Sequence, residues 1–319
     1  MLVEKLARQA QVSEDWLLYI AATASERYKL YDIPKRDGGT RLIEHPSRDL
    51  KAVQRWLSNE VLSPLPVHNC AMAYKTGSSI RENAKRHAET RYTVRYDFKS
   101  FFPSFSAPRI REFLKSCVAK SQLSLNDDDI HFFQQCVTRK GRLTIGAPSS
   151  PALTNAMMFE FDFRMYQICA DTGRVYTRYA DDIFVSSFSK DNLVSVDSEI
   201  LSARAGISYL SLRLNRAKTV HMSMKRRRQI TGLTITSRNE VSLGRERKRE
   251  LKSLVHKYLT GSLEPEEIGR LRGLLAFAND IEPSFRSALE RKYGQFELRE
   301  LLSSVITPPP PPATPSPHP

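Results

Sequence analysis

Apolar positions follow helical spacing near both ends of the chain and two-residue alternation at a few points between. Up to residue 30 the spacing predicts helix, with Ser13, Glu14 and Asp15 as a helix start ahead of Trp16-Leu17-Leu18-Tyr19-Ile20. Asp37-Gly38-Gly39 is a turn signal between two short extended runs, Lys29–Pro34 and Thr40–Glu44, so a hairpin with basic flanks is expected. Helical spacing returns over 48–62 and over Ser78–Glu89. Arg91–Phe98 (RYTVRYDF) alternates as a strand, 101–108 reads as loop, and Arg109–Lys120 as helix. Ser150 suits an N-cap and Pro151 the first helical position, which predicts one long helix reaching about Ala170. Val175–Ser187 reads as strand, tight turn, strand; Ile200–Leu214 as helix; two short strands then end at Ile230–Thr236. From Arg245 to about Leu302 a small helical bundle is expected, interrupted at Gly261 and Pro283. Residues 308–319, PPPPPATPSPHP, favour exposed polyproline II and add nothing to a core, so a disordered tail is expected.

Composition adds one strong bias. Forty-nine Lys and Arg stand against 35 Asp and Glu, a net charge of +14 in 319 residues. A field of that sign favours polyanions, with nucleic acid ahead of membrane surfaces or heparin-like ligands. The length is enough for two or three subdomains around real cores. Cys70, Cys117, Cys136 and Cys169 form no CxxC pair and have no matching His spacing, so buried, reduced thiols are expected rather than zinc. Met1–Gln11 shows no apolar signal region, and no apolar stretch approaches about 18 residues. A cytoplasmic protein with no membrane partner is the expectation.

Two acidic sites sit where a strand runs into a turn: Asp97 in RYDFKSFFPSF, and Asp181-Asp182 in YTRYADDIFVS. Consecutive strand residues point to opposite faces, but a turn relaxes that rule, so both members of the pair can lie near the hairpin tip. Two carboxylates about 4 Å apart repel by roughly 4 kcal/mol at an effective dielectric near 20. Such a cluster needs either a basic side chain or divalent cations. Carboxylate oxygens suit Mg²⁺, which completes its shell with waters and substrate phosphates. Two ions about 3.5–4 Å apart clamp the attacking and leaving oxygens of an in-line phosphoryl displacement. Alone, Asp-Asp in a turn is ordinary turn chemistry; the surrounding motifs separate the two readings.

Tyr179-Ala180-Asp181-Asp182 between two apolar strands resembles motif C of reverse transcriptases, whose hallmark is Tyr-x-Asp-Asp. Tyr96–Ser104 (YDFKSFFPS) resembles motif A, Gly146–Pro151 (GAPSSP) motif B, Leu214–Thr219 motif D, and Ile230–Leu233 the primer-grip region that follows. Lys35–Arg41 (KRDGGTR) resembles the fingers hairpin. These motifs keep the family's order over roughly residues 30–240. Asn83-Ala84-Lys85-Arg86-His87 matches the NAxxH signature of retron reverse transcriptases, and Ile230-Thr231-Gly232 nearly matches their VTG.

The resemblance implies an α+β right-hand polymerase. N-terminal helices and fingers would occupy 1–90, a palm of antiparallel sheet plus helices with motifs A to E 91–240, a helical thumb binding RNA or duplex 241–306, and a Pro-rich tail 307–319. It implies an RNA-directed DNA polymerase using dNTPs and two Mg²⁺ ions, with Mn²⁺ as a substitute. The retron signature implies a bacterial enzyme that binds a cognate structured noncoding RNA (msr-msd). Such an enzyme primes from an RNA 2′-OH, makes branched msDNA, and serves antiphage (antiviral) defence with a separate effector protein. Two alternatives stay open: another bacterial, group II intron-like reverse transcriptase, or an RNA-binding antitoxin or scaffold for an effector.

Carried over residue by residue, the resemblance makes Asp97, Asp181 and Asp182 the metal ligands, with the Phe98 carbonyl added. Lys218 becomes a proton donor to the leaving pyrophosphate. Lys35 and Arg41 would hold the triphosphate, the Arg41 guanidinium matching phosphate oxygens. Phe102 would exclude a ribose 2′-OH, with Phe101 in the core. Gly146 and Pro148 would pack on nucleotide and template, and Tyr179 beneath the primer end. Motif B normally opens with Gln, and Ile145 holds that place here. Asn83 and His87, i and i+4 on one helix face, would contact RNA or clasp the structure. Residues 225–257 hold eleven Lys and Arg against three Glu. Within that run Arg226, Arg227, Arg228, Arg245, Arg247, Lys248 and Lys252 are the expected RNA contacts.

Overall fold

Short capped helices begin the chain. Helix α1 (Leu2–Ala10) buries Leu2, Val3 and Leu6. In α2 (Glu14–Ala22) the Ser13 hydroxyl accepts the Trp16 N–H at 3.3 Å, the start expected from sequence. Strands β1 (Tyr28–Pro34) and β2 (Thr40–Pro46) form the antiparallel hairpin, in register from Tyr28↔Pro46 to Pro34↔Thr40. The computed structural model describes residues 1–35 and 38–303; Arg36 and Asp37 of the expected turn, and the Pro-rich tail, lie outside the described residues. Two units divide the chain, Met1–Thr231 and the segment from Gly232 onward.

Helix α3 (Arg48–Leu57), capped by Ser47, and α4 (Ile80–Arg86), capped by Ser79, precede β3 (Tyr92–Asp97). After α5 (Ala107–Ala119) comes α6 (Asp127–Val137), which the sequence analysis did not anticipate. Its signal was local: Asn126 and Asp129 form a reciprocal capping box, and Asp129 also accepts the Leu2 N–H at 2.6 Å. The long helix expected after Pro151 is two, α7 (Ser149–Met157) and α8 (Phe159–Ala170). Hydrogen bonds Met158→Thr154 and Asp162→Met158 carry the chain across the joint. The N-cap is Pro148, not Ser150, because Ser149 and Ser150 face the interior.

Strands β4 (Val175–Tyr179) and β5 (Asp182–Ser187) form the second hairpin, followed by α9 (Val196–Arg204), β6 (Val220–Ser223) and β7 (Arg228–Ile230). Helix was expected to run on to Leu214. It stops at Arg204 because Gly206 takes φ +76°, and residues 213–215 are drawn alongside β3 by Lys99→Arg213 and Asn215→Asp97 backbone bonds of 2.8 Å. The four-stranded sheet has order β4-β5-β3-β6, all antiparallel. Val94, Ile183 and Val185 of the sheet join one apolar core with Phe98, Phe101, Phe105, Phe161 and Met165. Area removed from water at about 25 cal/mol per Å² is what drives that assembly.

From Gly232 onward, β8 (Leu233–Ile235) pairs with β9 (Val241–Ser242). Helices α10 (Arg245–Leu259), α11 (Pro265–Ile281), α12 (Pro283–Tyr293) and α13 (Gln295–Ser303) follow, interrupted at Gly261 and Pro283 as the sequence indicated. Leu251, Val255, Leu271, Leu275, Ile281 and Leu289 are buried within this unit. All four cysteines are free and buried. Among the described residues no helix is long and apolar enough to cross a membrane.

Candidate active site

Register brings the carboxylates together. Asp97, the last residue of β3, pairs directly with Asp182, the first of β5. Opposed residues of an antiparallel pair share a face, with Cβ atoms about 4.5–5.5 Å apart. Asp181 stands in the two-residue turn between Tyr179 and Asp182, where Ala180 takes φ +56°. The Asp181 carbonyl accepts the Phe98 N–H at 3.0 Å, which ties the turn to the end of β3.

Burial and mutual repulsion act together on the carboxyl groups of this cluster. Burial pushes the Asp182 carboxyl up to about 6; Arg95 opposes the shift, and the charges of Asp181 and Asp97 add to it. Burial also raises Asp181, with Asp97 adding, while Arg41 and Lys218 oppose. Basic side chains supply the counter-charge: Lys218 Nζ lies 3.5 Å from Asp97 Oδ2, and Arg95 Nε 3.9 Å from Asp182 Oδ1. In this arrangement Lys218 is a partner of Asp97. Among the described residues no three His, Cys, Asp or Glu side chains already converge as a cation site. The backbone positions nevertheless fit a shared cation, because two facing Cβ atoms at sheet spacing let their carboxylates reach one ion by side-chain rotation alone.

The hairpin tip is fastened from below by residues that sequence reasoning missed. Arg178 is wholly buried, its Nε and Nη2 2.8 and 2.7 Å from Asp162 Oδ1 and Oδ2. Its Nη2 also donates to Asn155 Oδ1 at 3.1 Å, and its Nη1 to the Ala180 carbonyl at 3.0 Å. Tyr176 donates to the same Asp162 at 2.6 Å. Arg178 lies in a strand and Asp162 in a preceding helix, so no spacing rule joins them.

Around the cluster, Arg41 is exposed and close enough for its charge to act on Asp181 and on Tyr74. Lys35 is exposed at the hairpin end, its N–H on the Gly39 carbonyl. Phe101 is core, stacked 6.0 Å from Phe98, whereas Phe102 is half-buried with its ring 6.4 Å from that of exposed Tyr74. Tyr74 is a second residue without a sequence signal. Tyr179 is half-buried opposite Asp182, and Pro148 is half-buried at the start of α7. Gly146 has a steric reason: at φ +117°, a Cβ there would lie 2.9 Å from the Glu44 carbonyl oxygen and 3.1 Å from Ile43 Cγ2. Ile145 acts through its backbone, accepting the Glu44 N–H at 2.8 Å.

Three expected RNA contacts are corrected. Asn83 and His87 are fully buried, and a side chain without exposure cannot touch RNA. His87 bonds Ser186 and Thr177 at 2.7 Å each, clasping α4 to β5 and β4. Burial pushes its imidazole down to about 3, so it is neutral there. Arg228 is also buried, donating to the Ala88 and Thr90 carbonyls. Arg226 and Arg227 are exposed. In the second unit Arg245 and Lys252 are exposed, Arg247 stacks 5.1 Å over Phe277, and Lys248 pairs with Glu282.

A palm sheet that sets three aspartates at the junction of two strand ends defines a nucleotidyl-transferring polymerase, and residues 33–235 match the family model described as "Reverse transcriptase (RNA-dependent DNA polymerase)". The chain is 33% identical over 295 residues to the retron Ec83 reverse transcriptase of Escherichia coli, covering 90% of this chain and 93% of that one. It is 29% identical over 304 residues to the retron Ec86 enzyme of E. coli (92% and 91%) and 32% over 283 residues to the retron Ec73 enzyme of E. coli (84% and 87%). The chain belongs to the retron reverse transcriptases, with the right-hand polymerase fold and RNA-directed DNA polymerase activity of that family.

Proposed function

We propose that this polymerase binds one cognate structured RNA, starts DNA from a 2′-OH within it, and produces branched msDNA for antiphage defence beside a separate effector protein. The observation that supports the reading most is the Asp97↔Asp182 pairing beside Asp181. Bound at these carboxylates, a pair of Mg²⁺ ions would supply activation of the attacking hydroxyl and neutralisation of the leaving pyrophosphate. Lys218 and Arg95 supply counter-charge to Asp97 and Asp182. Arg41 approaches the cluster from the hairpin and meets the triphosphate of a dNTP by paired N–H donors. A ring at Phe102 beneath the sugar leaves space for hydrogen and not for hydroxyl. In the second unit, which we read as the thumb, exposed Arg245 and Lys252 contact RNA phosphates.

The test is the nucleic acid that copurifies with the wild-type chain and with the double variant Asp181→Ala, Asp182→Ala. Wild type should carry RNA joined covalently to DNA, and the variant RNA alone with labelled dNTP incorporation abolished. Incorporation surviving in the variant refutes the assignment of the aspartates. DNA that is never joined to RNA refutes the branched product and leaves the polymerase reading intact.

A further inference from the structure

At the base of the fingers hairpin, remote from the aspartates, a cleft of about 780 Å³ is lined by Arg27, Lys29, His45, Arg48, Lys51 and Arg55, with Glu26 as its one carboxylate. Among the described residues none of these six forms an ion pair with a carboxylate. The fold holds them together instead. Lys29 lies directly opposite His45 in the hairpin register. Lys51 Nζ is 2.6 Å from His45 Nε2, and an ammonium only donates, so His45 is the acceptor. Arg27 is braced by the Tyr19 ring at 5.1 Å and by the Thr23 hydroxyl at 2.7 Å. Arg48 occupies the first position of α3, where the helix dipole favours negative charge. A cation at a helix start is unfavourable, and Arg27, Lys29, Arg48, Lys51 and Arg55 are gathered around this one cleft. An anion in the cleft would relieve all of these at once.

We infer that the cleft is a docking site for RNA phosphates, separate from the reaction centre. The inference rests on the RNA-binding part of the proposed function. Strand β2 runs from Arg41, whose charge reaches Asp181, to Pro46 on the cleft wall. Five residues of strand rise put these ends roughly 17 Å apart. That is about five nucleotides of stacked strand. A nucleoside triphosphate at the aspartates does not extend so far, whereas a polynucleotide engaged there does. Cations on the two walls of a cleft suit a chain of phosphates better than a flat membrane surface.

The test is the salt dependence of binding to a mixed-sequence single-stranded RNA, comparing wild type with the triple variant Lys29→Gln, Arg48→Gln, Arg55→Gln. All three side chains are exposed, and glutamine keeps much of each stem. Losing three phosphate contacts should flatten the slope of log K against log salt by about 2. An unchanged slope, with an unchanged thermal midpoint, overturns the inference. The single variant Arg48→Gln gives the same readout, a flattening of about 0.7, should the triple variant unfold. Incorporation of dNTP on a primed RNA template, measured in wild type, tests the polymerase reading independently of the slope.

Discussion

Removing the Asp162 carboxylate tests the seat of the active-site turn. Asp162 and Arg178 have no exposed surface and are joined by two close contacts, Nη2 to Oδ2 at 2.7 Å and Nε to Oδ1 at 2.8 Å. Asp162→Ala leaves a guanidinium in a low-dielectric interior with only neutral acceptors, Asn155 and the Ala180 carbonyl. Breaking a buried pair from one side costs about 3–5 kcal/mol. Domains of ordinary stability hold about 5–15 kcal/mol in all, so the variant should lose about a fifth or more of its margin. Asp162→Leu with Arg178→Met removes both charges together. The Tyr176 hydroxyl, the Asn155 Oδ1 and the Ala180 carbonyl then lose partners, and the residual loss should be about 1–3 kcal/mol because the desolvation of two buried charges is removed with them. Urea unfolding followed by circular dichroism reads both. The paired variant, though folded, should incorporate dNTP about tenfold more slowly, roughly 1.4 kcal/mol at the barrier, with little change in KM for dNTP. The reasoning is refuted if Asp162→Ala costs less than about 1 kcal/mol, or if the paired variant is the less stable of the two.

His87 is neutral in the fold with its pKa pushed down to about 3 by burial, whereas the unfolded chain takes up its proton near pH 6.5. Its contribution is therefore full above about pH 6.5 and lost as pH falls, by about 2 kcal/mol at pH 5; His87→Gln should flatten that acid limb in a pH series of unfolding midpoints. Gly146→Ala should cost about 1–3 kcal/mol, since the new methyl meets the Glu44 carbonyl; thermal denaturation checks it, and a neutral result means the hairpin yields there. Phe102→Ala should raise ribonucleotide incorporation relative to deoxynucleotide by at least about tenfold; primer extension with each substrate reads the ratio, and an unchanged ratio assigns the discrimination elsewhere.

What could be read along the chain was whatever depends on neighbours in sequence. Ser13 before two acids caps a helix, and Ala180-Asp181 between Tyr179 and Asp182 forms a hairpin turn, because those outcomes are set within a few residues. The ordered motifs disclosed the family by the same local means. Residue type and spacing do not report which surfaces meet, so burial stayed hidden. Asn83, His87 and Arg228 are buried in the fold, and His87 and Arg228 tie segments together there. The helix expected through Leu214 stops at Arg204, where Gly206 turns left-handed, and residues 213–215 bond alongside β3 instead. Only the tertiary structure placed Asp97 opposite Asp182 and seated the turn on Arg178 and Asp162. Both results depend on strand register and desolvation between segments remote along the chain, and neither quantity exists before the chain has folded.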